Sequence, residues 1–470
     1  MKKGVNRNLD RRTNNTMNKT YIWLISMVAA LGGLLFGFDI AIFSGTIPFI
    51  QPLFNLDAAG LGWVGSSLYV GCMAGALVTG WLTDRFGRKK PLILAALIFA
   101  FSSVLMALAG SAAELALWRI VAGFGVGAAS MLSPLYIAEV SPPAVRGKMV
   151  SINQLAIVVG ILLAYLSNYF LAGWENNWRW MFASGALPSA LFFFFVFLVP
   201  ESPRWLLARN REEQARKVLG RLVEPTEIEL EIRAVRSSLS AKTLKVGFSG
   251  LFKAGIRFIV LLGIGIAVFQ QISGANAVFF YAPVIFEQAG MQVNDQLFQQ
   301  ILIGIINLAY TLLAMQLVDK VGRKKMMLAG SSLMALFLVL VAACFYFNLL
   351  EGYWLTVVVL AFIATYATTL APVTWVLISE IFPNRVRGMA VSVATFALWA
   401  ACFALAYAFP VLIQALAPVQ TFLLFAAICF TYFLILWRYV PETKGKTLEE
   451  IEATFRKPYR PAGELLQPGD

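Results

Sequence analysis

The stretch DRFGRKK, Asp84 to Lys90, recurs as DKVGRKK, Asp319 to Lys325, 235 residues further on (84 to 319). Two more pairs follow in the same order. Glu139, trailed by Arg146 and Gly147, recurs as Glu380 with Arg387 and Gly388, and PESPRWL (Pro200 to Leu206) is echoed by PETKGKT (Pro441 to Thr447). Both of these offsets are 241 residues (139 to 380, 200 to 441). One such match is weak; three in register mark a duplicated unit of half the chain.

The unit is a set of membrane helices. The 470 residues are 59% hydrophobic and 13% charged, with a mean hydropathy of +0.74, far from the averages of soluble domains. A spanning helix needs about 20 apolar residues. Twelve apolar segments can be read, near 21–49, 62–82, 91–109, 114–138, 149–170, 180–199, 256–287, 297–318, 326–347, 353–379, 389–415 and 420–440. Each is expected to be helical, because hydrocarbon offers the backbone no other hydrogen-bond partner. The expected fold is therefore an all-α membrane protein: twelve transmembrane helices in two pseudo-symmetric six-helix bundles, with short cytoplasmic helices. Its divisions are an amino-terminal segment (1–20), a first bundle (21–200), a helical linker (201–250), a second bundle (251–440) and a tail (441–470). Parallel halves of this kind are a transporter plan, with substrate bound between them near the midplane.

The polar segments follow their own patterns. Residues 202–250 alternate charged and apolar positions, which predicts two or three short amphipathic helices. TLEEIE carries a capping box at Thr447 and Glu450, and the composition from Pro458 onward is that of a disordered tail. The first apolar run is too long for a signal-peptide core and reads as a retained span, with Met17 an alternative start.

The net charge of +13 is a topology signal rather than a nucleic-acid surface. Lysine and arginine fill the amino terminus, alternate connections (85–90, 146–148, 204–253, 320–325, 385–387) and the tail, while the other connections are nearly bare apart from Arg179. That asymmetry predicts a multi-pass protein of the cell membrane with both termini in the cytoplasm, its basic face drawn to anionic lipid of the bilayer. The four cysteines (Cys72, Cys344, Cys402, Cys429) lie scattered inside apolar runs, so neither a disulfide framework nor a metal site is indicated, and no cofactor is expected. No nucleotide loop or nucleophile–base pair suggests an enzyme. Histidine is absent, so any proton chemistry falls to carboxylates.

One carboxylate stands out. Asp39 lies within GGLLFGFDIAIFSG (Gly32 to Gly45), with no basic residue between Lys19 and Arg85. Intramembrane acids are functional candidates, usually with a partner. Arg119 in the fourth span can pair with Asp39 or with Glu139, but Glu139 lies some 20 residues away along the same helix, so Asp39 is the better partner. The pair is either a proton-coupling device or a structural tie between spans one and four. In the seventh span Gln270 and Gln271 are followed by Ser273, Gly274 and Asn276. In a continuous helix Asn276 would point roughly 120–140° away from the glutamines; loosening at Ser273–Gly274 would turn all three toward one cavity. Amides offer both donor and acceptor to hydroxyl groups, although mutual bonds that merely join helices are the competing reading.

RIVAGFGVG (Arg119 to Gly127), DRFGRKK, PESPRWL, QQISGANAVFFYAP (Gln270 to Pro283) and PETKG together resemble the sugar porters of the major facilitator superfamily over about residues 21–455. The resemblance implies that the QQ…N cluster binds sugar and that Gln154, Asn307, Trp375 and Trp399 line the same pocket. It also implies that an acid at position 39 marks proton-coupled members, where facilitative ones commonly carry asparagine. Two departures bear on the substrate. Leu398 replaces an amide just before the eleventh-span tryptophan, and Ile161 stands where xylose symporters carry glutamine, which favours a hexose over a pentose.

The expected activity is import of a monosaccharide with a proton, by a protein functional as a monomer. Protonation of Asp39 weakens its pairing with Arg119, the halves rock around bound sugar, and proton release resets the site. Burial disfavours an ionised carboxylate and an arginine favours it, so a switch works if the two effects alternate between states. A facilitative uniporter and a non-transporting sugar sensor are the rivals, and the tail of about 30 residues after Pro441 argues against a sensor. The repeated inner-face motifs place Arg88, Glu139, Arg146 and Glu201 of one half with Arg323, Glu380 and Arg387 of the other. They are expected to form a charged latch across the cytoplasmic face that holds the outward-open state.

Overall fold

The computed structural model describes residues 18–142, 145–240, 251, 256–349, 353–382, 386–444 and 450. The first half holds α1 (Lys19–Leu53), α2 (Ala58–Phe86), α3 (Lys89–Leu108), α4 (Ala112–Val140) and α5 (Arg146–Leu171). Its sixth span is made of α6 (Asn177–Ser184) and α7 (Ala186–Val196). Three short helices follow, α8 (Pro203–Ala208), α9 (Glu212–Leu222) and α10 (Ile228–Ser240). The second half holds α11 (Arg257–Ile272), α12 (Ala275–Gln288), α13 (Val293–Val321), α14 (Arg323–Tyr346), α15 (Trp354–Thr368), α16 (Leu370–Ile381) and α17 (Arg387–Tyr439). No strand occurs among the described residues. The capping-box Thr447 and the tail from Pro458 lie outside them.

Eleven helical stretches are long and apolar enough to span a membrane, and the last accounts for two crossings. At about 1.5 Å per residue the 53 residues of α17 would reach about 80 Å, against a hydrocarbon core of about 30 Å. The helix breaks at Ala417 (φ 60°, ψ 166°) just before Pro418, which divides it into the eleventh and twelfth spans.

Small residues set how closely the helices approach. A Cβ added at Gly123 of α4 would stand 1.9 Å from Leu68 O of α2, and one at Gly71 would stand 1.9 Å from Ile120 O. Apolar contact alone holds helices poorly in lipid, and backbone-to-backbone approach of this kind supplies the packing. The same device seats α1, where Gly33 and Gly37 abut Asn153 O and Ile157 O of α5.

The sequence repeat is a structural repeat. Gly87 (φ 89°) and Gly322 (φ 105°) both adopt backbone that side chains avoid, which brings a glutamate from the end of each bundle onto the following amides. Arg88 N donates to Glu201 Oε1 (2.8 Å) and Arg323 N to Glu442 Oε1 (2.9 Å). Lys89 Nζ reaches Phe197 O and Lys324 Nζ reaches Trp437 O.

Among the described residues, two hydrogen bonds join the halves, and both lie toward the end opposite the termini. Gln300 Nε2 of α13 donates to Ser44 Oγ of α1 (3.0 Å), and Tyr165 Oη of α5 donates to Phe279 O of α12 (2.9 Å). Pro283 explains the second: it has no N–H to give to the carbonyl four residues back, and Phe279 O is that carbonyl. The pattern repeats inside the second half, where Pro410 frees Ala406 O for Tyr281 Oη (2.6 Å).

Candidate functional site

Asp39 and Arg119 meet in the interior, each 2% exposed. Arg119 Nη1 lies 3.7 Å from Asp39 Oδ2, close enough for charge attraction but too far for a hydrogen bond. The guanidinium is held elsewhere: Nε donates to Val64 O (2.9 Å) and Nη2 to Gly65 O (3.3 Å) on α2, and Phe43 lies under it at 4.1 Å. Asp39 Oδ2 and Arg119 Nη1 have no hydrogen-bond partner among the described residues. Glu139, the other eligible acid, is taken by Arg88.

The seventh span is broken where the local sequence permits. α11 ends at Ile272, Ser273 caps it, and Gly274 turns left-handed (φ 93°) before α12 begins. The turn brings the three amides together. Gln271 Nε2 donates to Gln270 Oε1, and Asn276 Nδ2 to Gln271 Oε1. Gln270 Nε2 reaches Tyr366 Oη on α15 (3.3 Å), and Cys402 Sγ on α17 donates to Gln271 Oε1 (3.0 Å). Trp399, one turn before Cys402, is 3% exposed and packs against Phe36 of α1 edge-on at 5.3 Å and Tyr69 of α2 face-on at 6.0 Å. Asn307 is buried on α13 and Gln154 is half-buried on α5. Trp375 differs: it is 41% exposed on α16 and makes no ring contact with Trp399 among the described residues. It follows a break in the tenth span at Thr369 (φ −117°, ψ −79°), between α15 and α16.

Tyr69, Tyr366 and Cys402 join this cluster without having been singled out in the sequence. Only Cys402 carried a readable signal, its spacing of three from Trp399, which puts both on one helical face.

The charges at the end carrying the termini, expected to latch the halves in the state open at the opposite end, pair within each half in the state seen here. Among the described residues, the ion pairs of this face stay within one half. Arg88 grips Glu139 through two bonds of 2.8 Å, and Glu139 also accepts from Ser202 Oγ (2.5 Å). Arg323 meets Glu380 at 3.4 Å. Arg146 is exposed and its Nε turns to Ser141 O (3.3 Å), while the Arg387 side chain lies outside the described residues. The halves touch at the opposite end, so charges on this end find partners in their own half. Burial works against charge on Glu442, but backbone amides of Lys444, Arg323, Lys325 and Thr443 outweigh it and hold the carboxyl below its usual value. No group of metal-ligating side chains occurs among the described residues.

Two parallel six-helix bundles, with interrupted helices meeting at a buried polar cluster between them, define a secondary transporter of the major facilitator fold. Residues 25–455 match the family described as Sugar (and other) transporter, and the chain belongs to it as a sugar porter, a family of transporters and not of enzymes. The chain is 40% identical to the arabinose-proton symporter of Bacillus subtilis (strain 168) over 93% of its length and 96% of the relative. It is 38% identical to the D-xylose-proton symporter of Escherichia coli (strain K12), covering 94% and 97%. The inward-open structure of the xylose transporter XylE from E. coli superposes with a TM-score of 0.83 at 37% identity, covering 92% of this chain and all of that one. The preference for a hexose, drawn from Leu398 and Ile161, finds no support here, since the names of these relatives carry pentoses.

Proposed function

We propose that this protein imports a monosaccharide together with a proton by alternating access, as a monomer in the cell membrane with both termini in the cytoplasm. Asp39 carries the proton and Arg119 is its counter-charge. Gln270, Gln271 and Asn276 bind sugar hydroxyls, Trp399 packs on the apolar face of the ring, and Gln154 and Asn307 complete the wall. Trp375 joins them only in a state where α16 has turned inward. The names of the relatives favour a pentose, arabinose or xylose.

The observation that carries the reading is the geometry at Asp39. A purely structural ion pair would be hydrogen-bonded, because burying two charges is repaid only by close pairing. Here Arg119 is anchored by two carbonyls and a ring, and the carboxylate is 3.7 Å away, so Asp39 can gain or lose a proton without releasing the arginine. Neutral Asp39 costs little in the interior, and re-ionisation restores the attraction.

Counterflow in proteoliposomes with labelled xylose, arabinose, glucose and inositol identifies the sugar, and sugar-induced alkalinisation reports the proton. Uptake with alkalinisation in the wild type, and uptake without it in Asp39→Asn, is expected. Undiminished proton movement in the variant sinks Asp39 as carrier, and counterflow with no proton movement in the wild type makes the protein a facilitative uniporter.

A further inference from the structure

The rings of Tyr69 and Trp399 cross between the halves, with centroids 6.0 Å apart and planes 27° from parallel. They are 1% and 3% exposed. Their polar atoms, Tyr69 Oη and Trp399 Nε1, both lack a hydrogen-bond partner among the described residues. Buried hydroxyl and indole groups are normally paired, because leaving one unpaired forfeits its solvation. Two orphans on one stacked pair point to a partner brought by a ligand.

The position agrees. Trp399 shares a helical face with Cys402, whose thiol donates to Gln271, so the stack is continuous with the amide cluster. Tyr69 also meets the edge of Phe280 at 5.7 Å, and Phe280 lies one turn beyond Asn276 on the same face of α12. Tyr69 therefore closes the polar cluster from the first half, while the amides line it from the second. The chemistry is complementary as well: an indole N–H only donates, whereas a phenol both donates and accepts. One sugar hydroxyl can accept from Trp399 Nε1 and donate to Tyr69 Oη.

We propose that Tyr69 is a sugar-contacting, specificity-determining residue of the transport site, its hydroxyl and the Trp399 indole together receiving one hydroxyl of the monosaccharide. This rests on the reading of the amide cluster as a monosaccharide site.

Tyr69→Phe removes a single unpartnered oxygen and keeps the ring stack, so it isolates the hydrogen bond; Tyr69→Leu removes the stack too. Binding of D-xylose, L-arabinose and D-glucose, and of monodeoxy analogues of whichever binds, is measured by calorimetry on the full chain in detergent. Tyr69→Phe is expected to bind the parent sugar roughly fivefold more weakly and to show no further loss for the one analogue lacking the hydroxyl it contacts. Tyr69→Leu is expected to bind more weakly still. Equal weakening across every analogue, or binding identical to wild type, overturns the assignment. So does unchanged sugar binding with lost proton-driven accumulation, which would place the role of Tyr69 outside sugar recognition. A wild type that binds no monosaccharide sinks the monosaccharide reading itself, a failure distinct from a wild type that binds and a Tyr69→Phe that binds identically.

Discussion

Arg119 faces Asp39 across 3.7 Å yet spends its hydrogen bonds on Val64 O and Gly65 O. The two residues are thus unequal in what they hold up. Removing one partner of a tightly paired buried couple costs about 3–5 kcal/mol. Asp39→Asn leaves the arginine on its carbonyls and over Phe43, so its melting temperature should stay near wild type and counterflow should survive. Arg119→Leu strands a buried carboxylate and frees two α2 carbonyls, and a clearly lower melting temperature is expected. Thermal unfolding of both variants in detergent checks the asymmetry; equal losses would mean that the ion pair itself is the structural element.

Gly274 sits at φ 93° between α11 and α12, and an added Cβ would make only ordinary contact with Phe425 at 3.4 Å. The cost of Gly274→Ala is therefore conformational, about 1–2 kcal/mol for a left-handed alanine. Relief of that strain turns Asn276 away from Gln271. Sugar counterflow should show a raised KM, with expression close to normal; an unchanged KM would show that the cluster does not depend on this turn.

Much of this was legible in the chain. The repeat DRFGRKK/DKVGRKK gave two halves because the motif needs a glycine with positive φ and a glutamate from the end of its own bundle. Asp39 and Arg119 were legible because charge in apolar sequence is conspicuous. Tyr69 was not: an aromatic in an apolar span looks the same whether it faces lipid or a pocket, and only packing against Trp399 from the other half distinguishes them. Trp375 shows the same limit from the other side: it is 41% exposed here, on a helix that follows a break at Thr369 which no local residue announces. The latch was expected of the state open at the opposite end, and which charges meet across the halves depends on the conformational state, which a sequence does not carry.

The two charge clusters at the end carrying the termini are unequal copies. Arg88 holds Glu139 by two bonds of 2.8 Å, with Ser202 added, while Arg323 and Glu380 stand 3.4 Å apart. Glu139→Gln should cost about 3 kcal/mol and Glu380→Gln under about 1 kcal/mol. Comparing their denaturant midpoints tests this, and equal midpoints would show that the extra bonds contribute nothing.

Glu442 confers a pH dependence. Its carboxyl, at an ordinary value of 4.5 when unfolded, is held lower in the folded protein by backbone amides that favour the charged form. The sign follows: the stabilisation is fully present above 4.5 and fades as pH falls below it toward the folded value. Glu442→Gln should therefore lower thermal stability at neutral pH and flatten its decline in the acidic range. A variant whose acid limb matched wild type would place the titration on another group.

Tyr165 Oη donates to Phe279 O, the carbonyl that Pro283 leaves open, and the bond spans the two halves at the end opposite the termini. Separation of the halves at that end must break it, so it stabilises only the state closed there. Tyr165→Phe leaves a buried carbonyl unpaired in that state, a loss of about 1–3 kcal/mol, and costs the other state nothing. At about 1.4 kcal/mol per tenfold, the population should move roughly five- to 150-fold toward the form open at that end. Spin labels at Asn55→Cys and Gln292→Cys, one on each half near that rim, would report the shift as a longer distance in Tyr165→Phe than in the otherwise identical parent. Pro283→Ala supplies the converse: its restored N–H competes for Phe279 O, so the same lengthening is expected with Tyr165 intact. If neither substitution changes the distance distribution, the tyrosine bond is incidental to closure and the contact of Gln300 with Ser44 is left to hold that end.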